Sequence, residues 1–250
     1  MVPMPNEFSH ILGIRFFTGG LAGAIQLTST GGLLVFPSAP VLVAIENNGH
    51  HRAALEGSDV AFTDSGLLVC IWMLLRRERL ERLSGLRFLR GLLEVTEFRR
   101  HGATFWIMPS ADDVMGNLTW LALQGLTPGM DDCYVAPTYP DGHLSDAVLL
   151  ATIAARRPRY VIINLGGGVQ ERLGYFLRTN LSYRPAIICT GAAIAFLSGR
   201  QVGIPVWADR LMLGWLFRCF AAPHKFLPRY WKALHLIPLL WRHRSNSIAG

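Results

Sequence analysis

Short apolar runs alternate with longer amphipathic segments along most of this chain, and that alternation restricts the fold more than any other feature. Leu33–Phe36, Asp59–Thr63, Thr104–Met108, Asp132–Ala136, Tyr160–Leu165 and Ala186–Thr190 are bounded by Gly, Pro, Asp or Ser and predict buried strands. Between them, Val41–Leu55, Gly66–Arg77, Leu86–Arg100, Asp112–Gln124, Leu144–Ala155 and Val169–Thr179 have helical length and mixed faces. Strand and helix in turn predict an α/β fold, a Rossmann-like, mainly parallel sheet with helices on both faces. At 250 residues the chain is long enough for one good core.

The alternation stops near Gln201, which separates an expected domain over residues 1–200 from an appendage over residues 201–250. The appendage mixes Trp207, Trp215, Trp231, Trp241, Phe217, Phe226 and Tyr230 with Arg210, Arg218, Lys225, Arg229, Lys232, Arg242 and Arg244, against one carboxylate, Asp209. Pro205, Pro223, Pro228 and Pro238 are expected to cut it into short helical pieces. Trp and Tyr favour the headgroup zone and cations attract anionic lipid, so the segment reads as an interfacial membrane anchor. The alternative is a helical appendage packed on the core with its cations reaching out to water.

Apolar residues make up 51% of the chain and charged residues 16%, which excludes disorder. The apolar stretches fall short of the ~20 residues a spanning helix needs, so no transmembrane helix is expected. MVPMPNEFSH carries two prolines and Glu7 where a signal peptide has positive charge and an unbroken apolar run, so secretion is not expected. Cys70, Cys133, Cys189 and Cys219 lack the spacing of a zinc site or disulfide framework and are expected as buried thiols in a reducing cytosol.

In an open parallel sheet, ligands sit beyond the carboxyl ends of the strands. That rule selects Thr63 to Gly66, Met108 to Ser110, Pro140 to His143, Gly166 to Glu171 and Thr190-Gly191. The run VIINLGGGVQERLG is neither a Walker loop, since Val169 and Gln170 stand where Lys and Ser or Thr are required, nor a complete dinucleotide fingerprint. The helix after it offers free backbone N–H groups to an anion. Asp64 fits either a cap of the following helix or a general base at the sheet edge. His50 and His51 are expected on a polar helix face, with His143 in a loop. Asp112-Asp113 reads as a helix start, and neither it nor Asp131-Asp132 makes a metal site.

Several local patterns then coincide in one order. SDVAFTDSGLLVCIWMLL is similar to the stretch "adlvlpDGigvvwaar" of the WecG/TagA/CpsF family of bacterial glycosyltransferases, and Arg82-Leu83-Ser84-Gly85 to its Arg-x-Thr/Ser-Gly. Pro140-Asp141-Gly142-His143 resembles its "GYF" loop region, LGGGVQE its Gly-x-Pro-Lys-Gln-Glu loop, and CTGAAIAFLSGR its "GvGgaFDFlaGr". Pro205 and Trp207, then Trp215 to Arg218 and Pro223, resemble its tail; the likeness covers roughly residues 40–235.

The resemblance implies inverting transfer of a sugar, N-acetylmannosamine-like or related, from a UDP-sugar to a polyprenyl-diphosphate-linked saccharide acceptor. No cofactor and no metal are implied. It makes Asp64 the base, with Thr63, Arg82, Ser84, Asp141, Gln170, Glu171, Thr190 and Gly191 binding substrate. Arg210, Arg218, Lys225 and Arg229 would meet phosphate or the anionic cytoplasmic face of the membrane, where the protein would sit peripherally. Nucleic acid is not an expected partner, and a homo-oligomer is left open. The chain departs from the pattern at Phe36-Pro37-Ser38-Ala39, where the family has Thr-x-Asn, at Ala195, where it has Asp, at Gly203 and Gly214, where it has a basic residue and Glu, and at Gly168-Val169, where it has Pro-Lys. Altered sugar specificity is the expected result; the alternative is a silent relative that binds a lipid-linked glycan or a partner enzyme.

Overall fold

The structure, a computed structural model, describes residues 7–201, 219–220 and 223–243. It opens with a hairpin, β1 (Phe8–Ile11) and β2 (Ile14–Phe17), then runs through α1 (Leu21–Leu27), β3 (Gly32–Val35), α2 (Ala39–Val43), α3 (Gly49–Glu56), β4 (Val60–Phe62), α4 (Gly66–Arg76) and α5 (Gly85–Leu93). Next come β5 (Thr104–Met108), α6 (Ala111–Leu123), β6 (Cys133–Val135), α7 (Ala147–Arg156), β7 (Tyr160–Ile163), α8 (Val169–Asn180), β8 (Ala186–Cys189) and α9 (Ala193–Leu197). Two helices of the C-terminal segment follow, α10 (Pro223–Ala233) and α11 (Leu236–Arg242).

The strands form one eight-stranded sheet in the order β1-β2-β4-β3-β8-β7-β5-β6, antiparallel only between β1 and β2. The six expected strands are β3 to β8. The hairpin was not expected: it turns through Leu12, which takes the left-handed φ of 56° without being glycine.

Side chains alternate between two cores, one on each face. Leu33, Val35, Val161, Ile163 and Ile187 face α2, α3, α4, α7 and α8. Leu34, Phe62, Trp106, Ile162 and Ile188 face α1, α5, α6 and α9. The chain therefore leaves β3 toward one face and its neighbour β8 toward the other, which opens a crevice between their carboxyl ends. On the second face Phe36 stacks on Phe62 at 4.6 Å between ring centres and leans on Phe88 at 4.9 Å. The Phe36 ring lies 3.6 Å from where a Cβ on Gly85, the first residue of α5, would stand.

Several local expectations are corrected. The helix expected over Val41–Leu55 is broken by a 3₁₀ turn at Ala44–Glu46, and α3 restarts with Asn48 accepting a hydrogen bond from His51 N at 2.9 Å. Leu86–Arg100 is helical only to Leu93. Pro228 lies inside α10 rather than ending it. Cys189 is buried, but Cys70 is exposed and Cys133 and Cys219 are intermediate.

The described part of the C-terminal segment packs on the main body. Ala233, Leu236, Leu239 and Leu240 enter the first core, with α10 against α2 and α11 against α2 and α4. Among the described residues no helix is long and apolar enough to cross a membrane.

Candidate active site

Asp64 leaves the carboxyl end of β4, half-buried. It does not cap α4, because Ser65 does so by accepting Leu68 N at 3.2 Å. Its Oδ1 accepts instead from Gly85 N, at 3.1 Å across 21 residues, and its carbonyl accepts from Arg82 Nε at 2.8 Å. The carboxylate is thus oriented by the opening turn of α5. Thr63 is fully buried; its hydroxyl donates to Glu81 O and accepts from Leu83 N, fastening the returning segment to β4. Ser84 caps α5 by accepting Arg87 N at 3.2 Å.

Gly85 sits at a close approach. A Cβ there would lie 3.2 Å from Thr190 O and 3.5 Å from Thr190 Cα, so only glycine lets α5 reach the end of β8 without displacing backbone. Gly191 N then donates to Gln170 Oε1 at 2.8 Å, Gln170 Nε2 to Glu171 Oε1 at 3.0 Å, and Gly168 N to Glu171 Oε2 at 2.6 Å. One line of contacts therefore links Asp64, Gly85, Thr190, Gly191, Gln170 and Glu171 across the ends of β4, β3, β8 and β7. The crevice brings together these sequence-selected residues.

In the glycine run, Gly168 has a φ of 93°, which reserves its position for glycine. Its N–H, one of the donors an anion at the start of α8 would use, is occupied by the Glu171 carboxylate. Glu171 is completely buried, and desolvation raises its pKa above the ordinary 4.5 despite the opposing pull of His51, Gln170 and the Gly168 N–H. Burial, with Glu171 beside it, also holds the Cys189 thiol well above its usual value.

Sequence reasoning missed His51 and Arg172. His51 is not on a solvated face: it shares a buried face of α3 with Ala54 and Leu55, and its Nε2 lies 2.9 Å from Val41 O. The spacing of these three residues was the available signal. Arg172, itself buried, donates from Nε to Gly168 O at 3.1 Å and from Nη1 to Pro140 O and Gly142 O at 2.7 Å each. It joins the Pro140–Gly142 loop to the glycine loop and leaves the Asp141 carboxylate exposed, 4.0 Å from Arg172 Nη2. Below this loop Asp146 accepts from Tyr134 OH at 2.9 Å and Tyr139 OH at 2.6 Å, and burial with that carboxylate pushes the Tyr134 phenol up to about 12.

The Oγ1 of Thr190, the Nδ1 of His51 and the Oδ1 of Asn164 are buried without a hydrogen-bond partner among the described residues. Asp112 and Asp113 occupy the first turn of α6, while Asp131 and Asp132 pair with Arg156. Among the described residues no group of three or more His, Cys, Asp and Glu side chains gathers as a metal site would need. Ser38 precedes α2 and Ala195 is buried on α9, so neither departure puts a charge into the crevice. Arg210 and Arg218 lie outside the described residues, as do the side chains of Lys225 and Arg229 on α10.

A mainly parallel sheet with a carboxylate and a glycine loop at the carboxyl ends of its central strands defines an α/β protein with its ligand site at that edge. The model of the glycosyl transferase WecG/TagA/CpsF family matches residues 10–249, and the chain belongs to that family. It is a glycosyltransferase of cell-surface polysaccharide synthesis, a family role that takes a nucleotide-sugar donor and a lipid-linked acceptor. A search of curated proteins returned no match.

Proposed function

We propose that this protein transfers a hexose related to N-acetylmannosamine from a UDP-sugar to a polyprenyl-diphosphate-linked saccharide, with inversion and without a metal. Asp64 takes the proton of the acceptor hydroxyl as that oxygen bonds to the anomeric carbon. The bond from that carbon to the diphosphate breaks and its electron pair leaves with UDP. Arg82 offers its positive charge to the diphosphate as negative charge develops there. Gln170, Glu171 and Gly191 shape the donor pocket, to which the unpartnered Thr190 hydroxyl offers a hydrogen bond, and Asp141 meets the acceptor at the rim. The basic C-terminal segment, with Arg210, Arg218, Lys225 and Arg229, holds the protein peripherally at the cytoplasmic face of the membrane.

The observation that carries this reading is the Asp64 carboxylate, fixed at the sheet edge by Gly85 N. The test mixes purified protein with lipid-linked acceptor and a panel of nucleotide sugars and follows UDP release. Asp64→Asn is expected to lower the rate by about 10²–10⁴-fold, the usual contribution of a positioned base. An unchanged rate refutes the role of Asp64. A chelator is expected to leave the wild-type rate as it was, and a loss restored by added divalent ion refutes transfer without a metal.

A further inference from the structure

Two adjacent helices turn apolar residues outward. In α4 the buried side is Leu68, Val69, Ile71 and Trp72. The exposed positions Cys70, Met73, Leu74 and Arg77 follow one another at the spacing of a single helix face, and Leu74 is 82% exposed. In α11 the buried side is Leu236, Leu239 and Leu240, and the outward positions are Ile237, Pro238 and Trp241. Leu227 and Trp231 on α10, and Leu234 in the turn after it, continue that stripe, with Trp231 72% exposed. Since α11 packs against α4 and both bury their other sides in the same core, their outward faces turn away from that core together. A helix at a water-facing surface normally turns polar residues outward, and a patch of this kind marks an interaction surface.

The rim identifies the occupant. Arg76, Arg77 and Arg79 follow the α4 stripe, while Lys232 and Arg242 flank the C-terminal one, Arg242 lying 3.6 Å from the Glu46 carboxylate. Glu78 is the acid within this run, and its carboxylate accepts from Trp72 Nε1 at 3.3 Å. A second copy docking about a two-fold axis would set this cationic rim against itself. An anionic bilayer instead complements the charge, and exposed tryptophans beside arginines suit its headgroup zone. We propose that the outward face of α4 contacts lipid, so that anionic membrane binds across α4, α10 and α11 together and not through the C-terminal segment alone.

One consequence rests on the function proposed above. From Ser65 to Leu74 the helix rises about 13 Å, so lipid at Leu74 lies about that far along α4 from the residue that follows Asp64, within reach of a saccharide carried on a lipid diphosphate. Lipid binding itself does not depend on that reading, and the experiment needs no sugar.

The full chain is floated with vesicles of phosphatidylcholine with or without phosphatidylglycerol. Binding is expected only with the anionic lipid, and the double variant Met73→Ser/Leu74→Ser is expected to partition about ten-fold more weakly with unchanged circular dichroism and UDP binding. A polarity-sensitive fluorophore on the exposed Cys70, in a Cys133→Ser/Cys219→Ser background, is expected to shift to the blue on adding those vesicles. Protein that floats while the probe stays unshifted overturns the proposal, as does undiminished flotation of the double variant. A blue shift that follows protein concentration without lipid assigns the face to a second copy and overturns it as well. Vesicle binding without UDP binding instead defeats the function and leaves the lipid surface standing.

Discussion

Gln170→Leu separates the structural part of the crevice from its ligand chemistry. Gln170 is buried, and its amide accepts from Gly191 N at 2.8 Å and donates to Glu171 Oε1 at 3.0 Å. Leucine removes both bonds, leaving a backbone donor and a buried carboxylate oxygen short of a partner. Each such loss costs about 1–3 kcal/mol, or about 2–6 kcal/mol together, against a total stability of about 5–15 kcal/mol. In a chain of this size 1 kcal/mol moves the midpoint about 2–4 °C, so calorimetry without nucleotide should record a fall on the order of 5–20 °C. Gln170→Glu keeps the shape but sets a second carboxylate beside Glu171. Because burial already raises the Glu171 pKa, the stability tied to its protonated form is present at low pH and is lost as pH rises through the raised value. The Glu variant should therefore be weakest at neutral pH and recover on acidification. A Gln170→Leu midpoint within about 1 °C of wild type refutes the bridging role and leaves Gln170 as a ligand contact alone.

Two further outcomes follow from the same geometry. Asp59 accepts from Leu33 N and pairs with Arg178 and Arg184, both at 2.6 Å; burial alone would raise its pKa, but these partners outweigh it and hold the carboxyl below 3.8. Its stabilisation is present above that ordinary value and lost as pH falls through the lowered one, so Asp59→Asn should cost about 1–3 kcal/mol at neutral pH and flatten the acid limb of a stability titration. Gly85→Ala presses a methyl onto Thr190 backbone and should cost about 1–3 kcal/mol by denaturant titration while weakening UDP binding; an unaffected Kd would refute the close approach as a site determinant.

The sheet was readable because parallel strands are buried on both faces, so Phe105 to Met108 and Val161 to Ile163 appear as unbroken apolar runs. The β1–β2 hairpin was not: FSHILGIRFF puts Ser9, His10 and Arg15 among its strand positions and turns through Leu12-Gly13, both at positive φ, where Gly13 is preceded by a leucine in place of the usual Asn or Asp. Asn47-Asn48-Gly49 did carry one, yet the flanking apolar residues suggested a continuous helix. The strand-end rule located the crevice because it depends on topology alone. The partners within it were hidden, since the link between Asp64 and Gly85 spans 21 residues and follows from where α5 returns. In the C-terminal segment the tryptophans and arginines stood out, whereas Leu236, Leu239 and Leu240 pack into the core by a periodicity too short to register against the prolines.

Arg172 makes its bonds to main-chain carbonyls, with no need of a neighbouring side chain's rotamer. Three such bonds make the Pro140–Gly142 and Gly168 segments mechanically one piece: neither can swing aside unless the guanidinium releases the other. Much of the ordering entropy of this rim is therefore spent at folding, before any substrate arrives. Amide hydrogens of the two loops should accordingly exchange together, with a common opening free energy, although about thirty residues separate them along the chain.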